Sequence, residues 1–208
     1  MLFRSPHRIR ANHPPWRWLR GCGSLVICLA LLGIAASPVR GWIRAERGAN
    51  PAQSQDEYRV KAAFLYNFTK FVEWPGDAFV DGGGAFVIGL VGSDPFGPTL
   101  DQTVASKSVN GRQLQVRRLK PGQTPRGCQI LFIGASERRR LPQILDSLRG
   151  LSVLTVSEME QFNQLGGMIN FVMEDSKVGF EINAVAADRA HLKISSKLLQ
   201  LAKSGKGR

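Results

Sequence analysis

From residue 54 to residue 74 the apolar positions recur with the spacing of a helix. Val60, Ala63, Phe64, Phe68, Phe71 and Val72 fall on one stripe. Ser54 or Asp56 can cap the start, and Pro75 ends it, because its ring and missing N–H cannot continue the ladder. The opposite face lacks the charges of a solvated helix: Tyr58, Ala62, Leu65, Tyr66 and Thr69 lie there together. A helix apolar on two sides is buried on both or covers a partner.

Beyond the triple glycine at 82–84, AFVIGLV is an uninterrupted apolar run of strand length, and CQILFIG and SVLTV repeat the pattern. Such runs suit strands covered on both faces, as in a parallel sheet with helices on each side. The segments between them predict helices over 98–106, 136–149 and 157–164. RQLQVRRL alternates at Leu114 and Val116 and predicts a half-exposed edge strand. GMINFVMEDSKVGFEIN predicts a hairpin around a four-residue polar turn, Glu174, Asp175, Ser176 and Lys177. Asn183 then caps a C-terminal helical region with Ile194, Leu198, Leu201 and Ala202 on one stripe, restarted at Ser195 or Ser196. The expected fold class is α/β: a three-layer single domain with a mixed, mostly parallel sheet and a C-terminal β-hairpin plus helix.

Charge changes the picture of the chain's beginning. The formal charge of +12, from 28 Lys and Arg against 16 Asp and Glu, would suggest a nucleic-acid binder if it were spread evenly. It is not: residues 1–45 hold seven arginines and no acid, and the remainder carries 21 basic and 16 acidic residues, or +5. Basic residues before an uncharged stretch from Gly21 to Val39 read as a secretory signal peptide, with a retained membrane anchor as the alternative. Either exports the rest to the periplasm, away from nucleic acid. The organisation expected is a leader over 1–45, a flexible lead-in over 46–55, the α/β domain over 56–203 and a basic tail over 204–208. Cys22 and Cys28 fall in the leader, so Cys128 is a free thiol without an internal disulfide partner, read as a buried residue opening CQILFIG.

Chemistry is sparse. GLVGSDPFG follows a strand and precedes a helix, but it has neither the lysine of a P-loop nor the glycine spacing of a dinucleotide fingerprint. Ligands favour that end of an α/β sheet, so Ser93, Asp94 and Phe96 form a ligand-pocket candidate. His191 is the one histidine beyond the leader, reads as a core or rim residue of the last helix, and has no G-x-S-x-G elbow beside it. One Cys and one His are too few for a zinc site, and Glu158, Glu160, Glu174 and Asp175 read as helix-start and turn residues. The run Arg138, Arg139, Arg140 reads as a solvated face at a helix start. No catalytic residue, metal or cofactor is expected.

The strings EYRVKAAFLYNFTKFVEWP, FVIGLVGSDPFG, CQILFIGAS and GMINFVMEDSKVGFEINAVAADRAHLKISSKLLQLAK resemble the YfiR family in order and spacing, over residues 57–203. The most specific pieces are the Trp74-Pro75 helix end, the INF…VGFEIN hairpin and KISSKLL. The resemblance implies a small periplasmic protein without catalytic activity that binds the periplasmic sensor region of an inner-membrane diguanylate cyclase. It would hold the cyclase inactive and lower cyclic di-GMP, with relief by an OmpA-like outer-membrane lipoprotein, control of biofilm and self-association as a homodimer. Well-known members carry cysteine pairs that form disulfides; this chain departs from them. The alternatives are a periplasmic small-ligand-binding sensor and a hydrolase that pairs His191 with an exposed nucleophile. The expected partner surface is Tyr58, Leu65, Tyr66 and Thr69, with Lys70 and Trp74 at its edge, unless a second layer of the same domain covers that face.

Overall fold

In the computed structural model, which describes residues 51–82, 84–120 and 122–202, the first helix begins earlier and ends sooner than its apolar stripe suggests. The elements in order are α1 (Pro51–Phe71), β1 (Val72–Glu73), a 3-10 turn over Gly76–Gly82, β2 (Phe86–Val91), α2 (Pro98–Val104), β3 (Ser108–Val109) and β4 (Arg112–Leu119). They continue with β5 (Ile130–Ile133), a 3-10 turn over Ala135–Arg140, α3 (Leu141–Ser147), β6 (Leu154–Ser157), β7 (Ile169–Glu174), β8 (Lys177–Ile182), α4 (Ala184–Arg189), β9 (Lys193–Ile194) and α5 (Ser196–Leu201). The segments expected to be a signal peptide or anchor, residues 46–50 of the expected lead-in and the expected basic tail lie outside the described residues.

Residues 51–55 of the expected lead-in are the first turns of α1, a start that a proline's fixed φ and missing N–H suit. At the other end Val72 and Glu73 leave the helix before Pro75 and pair antiparallel with Ile194 and Lys193. Ile194 is therefore a ladder residue rather than part of a helical stripe. Two caps confirm the breaks in the C-terminal region: Asn183 Oδ1 accepts from the Ala186 N–H at 3.0 Å, and Ser195 Oγ accepts from the Leu198 N–H at 3.3 Å. Between α4 and β9 the chain reverses through His191, exposed and at φ 58°, which is thus neither a core nor a helix residue.

The large sheet has the order β3-β4-β2-β5-β6-β7-β8. Strands β4, β2, β5, β6 and β7 are parallel, and the edge strands β3 and β8 are antiparallel to their neighbours. Numbered along the chain, the parallel strands run 2-1-3-4-5, a doubly wound order whose winding reverses beside β2. Alternation divides the side chains. Phe86, Ile88, Leu90, Ile130, Phe132, Leu154, Val156, Phe171 and Phe180 join Leu65 and Phe68 of α1 and Leu100 of α2 in the main core. On the other face Leu131 and Ile133 pack with Leu141 of α3 and with Phe162. Cover on both faces is why β2, β5 and β6 read as unbroken apolar runs.

Three local expectations give way to tertiary contacts. Residues 158–166 turn instead of forming a helix: Ser157 ends β6 buried, its Oγ donating to Ile133 O at 2.7 Å and accepting from the Met159 N–H at 3.2 Å. The segment expected to be one helix over 136–149 divides into a 3-10 turn and α3, so Arg138, Arg139 and Arg140 precede the helix. In the hairpin Glu174 pairs directly with Lys177, leaving a two-residue turn, Asp175 at φ 47° and Ser176 at φ 62°. Two left-handed central residues match the right-handed twist of the strands. Strand β4 has the two-residue β3 beyond it and is not the last strand at that edge.

Candidate partner-binding groove

Helix α1 crosses the sheet with its second apolar face inward. Leu65 is 0% exposed and Thr69 2%, both within the domain, whereas Val60 is 44% exposed. Strands and α2 form the second layer that covers Leu65, whereas Thr69, though nearly as buried, lines the groove under the C-terminus of α1. Beside Leu65, Lys61 is only 3% exposed, and its ammonium binds Glu57 one turn earlier and Glu158 at 2.6 Å just beyond β6. Tyr58 donates to Glu158 at 3.2 Å and meets Phe96 edge to face at 5.6 Å. Burial, and then the Glu158 carboxylate, push the Tyr58 phenol above its usual range. Glu158 is thus a tie between α1 and the sheet rather than a helix-start residue.

Next to this tie, the crevice where the winding reverses is filled by backbone. The Ser93 N–H donates to Ser136 Oγ at 2.8 Å, and a Cβ on Gly134 would lie 2.5 Å from Ser93 O. Asp94 Oδ1 accepts from the N–H groups of Phe96 at 2.8 Å and Gly97 at 3.2 Å, and Oδ2 accepts from Arg118 Nε at 2.8 Å. Arg118 also grips Asp101 at 2.6 Å and, by that hydrogen bond, holds its carboxyl below the usual carboxylate range. Phe96 is buried against Phe132, ring centroids 4.9 Å apart. Asp94 and Phe96 therefore brace the loop after β2 from inside; their atoms are engaged by the protein itself.

Cys128 is buried at the amino end of the sheet, where a Cβ on Gly89 would come within 2.6 Å of its Sγ. Burial pushes the thiol up, and Arg117, whose Nη2 donates to Sγ at 2.9 Å, opposes that shift.

An open feature lies at the same end, under the C-terminus of α1. A groove of about 670 Å³ is floored by Trp74, Phe79 and Phe86 and rimmed by Lys70, Glu73 and Arg112. Trp74 is fixed edge to face on Phe86 at 4.9 Å, its Nε1 donating to Gln129 O at 3.1 Å. Gln129 is itself locked: Nε2 donates to Ala78 O at 2.6 Å and Oε1 accepts from the Val87 N–H at 2.7 Å. The Arg112 guanidinium lies 4.3 Å over Phe79, and the ammonium groups of Lys70 and Lys107 stand 4.1 and 4.2 Å over the Tyr66 ring. Among the described residues, Lys70, Lys107 and Arg112 form no ion pair. A rigid aromatic floor with unneutralised cations at its rim suits an acidic or aromatic segment of a partner protein.

Of the six residues expected at the partner surface, Thr69, Lys70 and Trp74 line this groove and Tyr66 lies beside it under Lys70, whereas Leu65 turns inward and Tyr58 is at the opposite end of α1. Phe79, Lys107 and Arg112 have no sequence signal as site residues: the 3-10 turn after Pro75 carries Phe79, the link between α2 and β3 carries Lys107, and Arg112 opens β4.

A family profile described as YfiR/HmsC-like matches residues 58–203. The chain belongs to this family. The match takes in Tyr58, Lys61 and Glu158 of the tie and the residues that line the groove. Among the described residues no helix is long and apolar enough to cross a membrane, and no group of three or more His, Cys, Asp or Glu could hold a metal ion.

Proposed function

We propose that this protein is a non-catalytic periplasmic regulator that binds and inhibits the periplasmic sensor region of an inner-membrane diguanylate cyclase and so lowers cyclic di-GMP. Membership of the YfiR/HmsC-like family carries this reading, because it supports a regulatory role in cyclic di-GMP signalling. The amino-end groove is the docking surface: Trp74 and Phe79 offer apolar anchor sites, and Lys70 and Arg112 select acidic neighbours. An OmpA-like outer-membrane lipoprotein would relieve inhibition by competing for the regulator. The engaged atoms of Asp94 and Phe96 favour protein recognition over a small-ligand sensor built on that loop.

Deleting the gene in a host that carries the cyclase is expected to raise cyclic di-GMP, and the wild-type gene to lower it again. Lys70→Glu, at an exposed position, is expected to fold normally and bind the cyclase region about tenfold more weakly. An unchanged nucleotide level after deletion would sink the regulator reading; unaltered binding by Lys70→Glu would sink only the groove.

A further inference from the structure

Beyond residue 45 the positive charge is concentrated in one segment. Residues 102–136 hold Lys107, Arg112, Arg117, Arg118, Lys120 and Arg126 without a single Asp or Glu, whereas the rest of 46–208 carries 15 basic and 16 acidic residues. The fold lays that segment along one margin of the large sheet. Strand β3 covers only Arg112 and Gln113 of β4, so from Leu114 onwards β4 is the margin itself. Leu114 and Leu119 belong to cores on opposite faces of the sheet. By alternation Arg112 and Arg118 leave β4 on the α1 side and Arg117 on the α3 side. Lys107 precedes β3, and Lys120 and Arg126 lie in the return from β4 to β5, which Arg117 ties to the strand by donating to Arg126 O.

Arg118 is neutralised by Asp94 and Asp101, but the other five cations make no ion pair among the described residues, and Lys120 and Arg126 are exposed. Protein interfaces are held by buried aromatic or aliphatic anchors. Among the described residues, no exposed large hydrophobic side chain falls between 102 and 136. Cations on both faces of a strand and on the adjoining loop, with no anchor between them, suit a smeared anionic surface, which requires charge within about a Debye length but no pocket. The opposite margin has the other sign. Its hairpin carries Glu174, Asp175 and Glu181 against Lys177 alone, so a negative surface attracts one side of the sheet and repels the other.

We propose that the β4 margin rests on an anionic lipid surface, with the Lys120 ammonium and the Arg126 guanidinium meeting headgroup phosphates. The proposal does not depend on which protein the amino-end groove takes, because neither of these residues lines that groove.

Co-sedimentation of the protein expressed from its full-length gene with vesicles of phosphatidylcholine alone, or of phosphatidylcholine with about 30% phosphatidylglycerol, tests it in about 0.1 M salt. Wild type is expected on the anionic vesicles and not on the neutral ones, with release in about 0.5 M salt. Lys120→Gln and Arg126→Gln should each weaken binding about fivefold, and Lys177→Gln at the other margin should leave it unchanged. All variants share residues 1–45, so any contribution of that segment cancels between them. Absence of wild type from the anionic vesicles, equal sedimentation with both kinds, or a folded double variant that binds like wild type overturns the proposal. Retention on immobilised poly-glutamate without vesicle binding assigns the margin to an acidic protein and overturns it as well. If the double variant loses its circular dichroism signal, the two single variants decide. No cyclase is present in the assay, so failure on vesicles leaves the regulator reading standing.

Discussion

At the carboxyl ends of β2, β5 and β6, polar groups meet polar groups of the same chain. Lys61 is enclosed by Glu57 and Glu158, Asp94 by its own turn and Arg118, and the Ser93 backbone sits on Gly134. At the amino ends the polar groups are left over: Lys70, Lys107 and Arg112 lie on aromatic faces without carboxylate partners among the described residues. Doubly wound folds usually bind ligands at the carboxyl end. Here that end is consumed in attaching α1, and recognition chemistry collects at the other, which shows why function must be argued from a site rather than from a topology.

The contrast breaks most visibly if the buried tie is cut. Lys61→Ala leaves Glu57 and Glu158 facing each other beside half-buried Tyr58 and should cost about 3 kcal/mol in urea unfolding. A loss below about 1 kcal/mol would mean that solvent already screens the cluster. Glycines separate the two ends more finely. Gly134→Ala forces a methyl into Ser93 O and should destabilise by about 2 kcal/mol, although its backbone conformation tolerates any residue. Gly76→Ala, lining the groove with nothing within 4 Å of the added carbon, should stay within about 0.5 kcal/mol of wild type. Equal effects at both positions would erase the distinction between a filled and an open end.

The smallest effect is acid dependence. Arg118 holds the Asp101 carboxyl below its usual range, so the pair's contribution is present above the unfolded carboxyl's pKa of about 4 and is lost as pH falls through the lower folded value. Both side chains are nearly half exposed, which limits that contribution to about 0.5 kcal/mol. Asp101→Asn should flatten the corresponding part of a plot of urea midpoint against pH between neutrality and strong acid; an unchanged slope would assign it elsewhere.

The strands were the most legible elements, because apolar runs covered on both faces and the alternating hairpin report burial directly: β2 and β5 lie within their expected runs, β6 outruns SVLTV by Ser157, and β7 and β8 each take one residue of the expected turn. Helix existence was legible for α1, α2 and α3, but not which face of α1 turns inward. Its two faces are nearly equally apolar, and the choice falls to Phe171, Phe180, Phe96 and Glu158, all distant in sequence. The candidate site was half legible. Trp74, Lys70 and Tyr66 stood out as aromatic and cationic residues near a helix end, while Phe79, Arg112 and Lys107 had no pattern to betray them.

By itself, then, the amino-acid sequence determined the layer architecture, the hairpin, the two C-terminal caps and the burial of Cys128, since each depends on residues near one another in the chain or on composition. The tertiary structure alone decided that the loop after β2 closes on Gly134, that Lys61 is buried with Glu158, and that an aromatic groove opens below α1. Those outcomes depend on which distant groups satisfy a buried charge or fill a crevice, and local spacing carries no record of that competition.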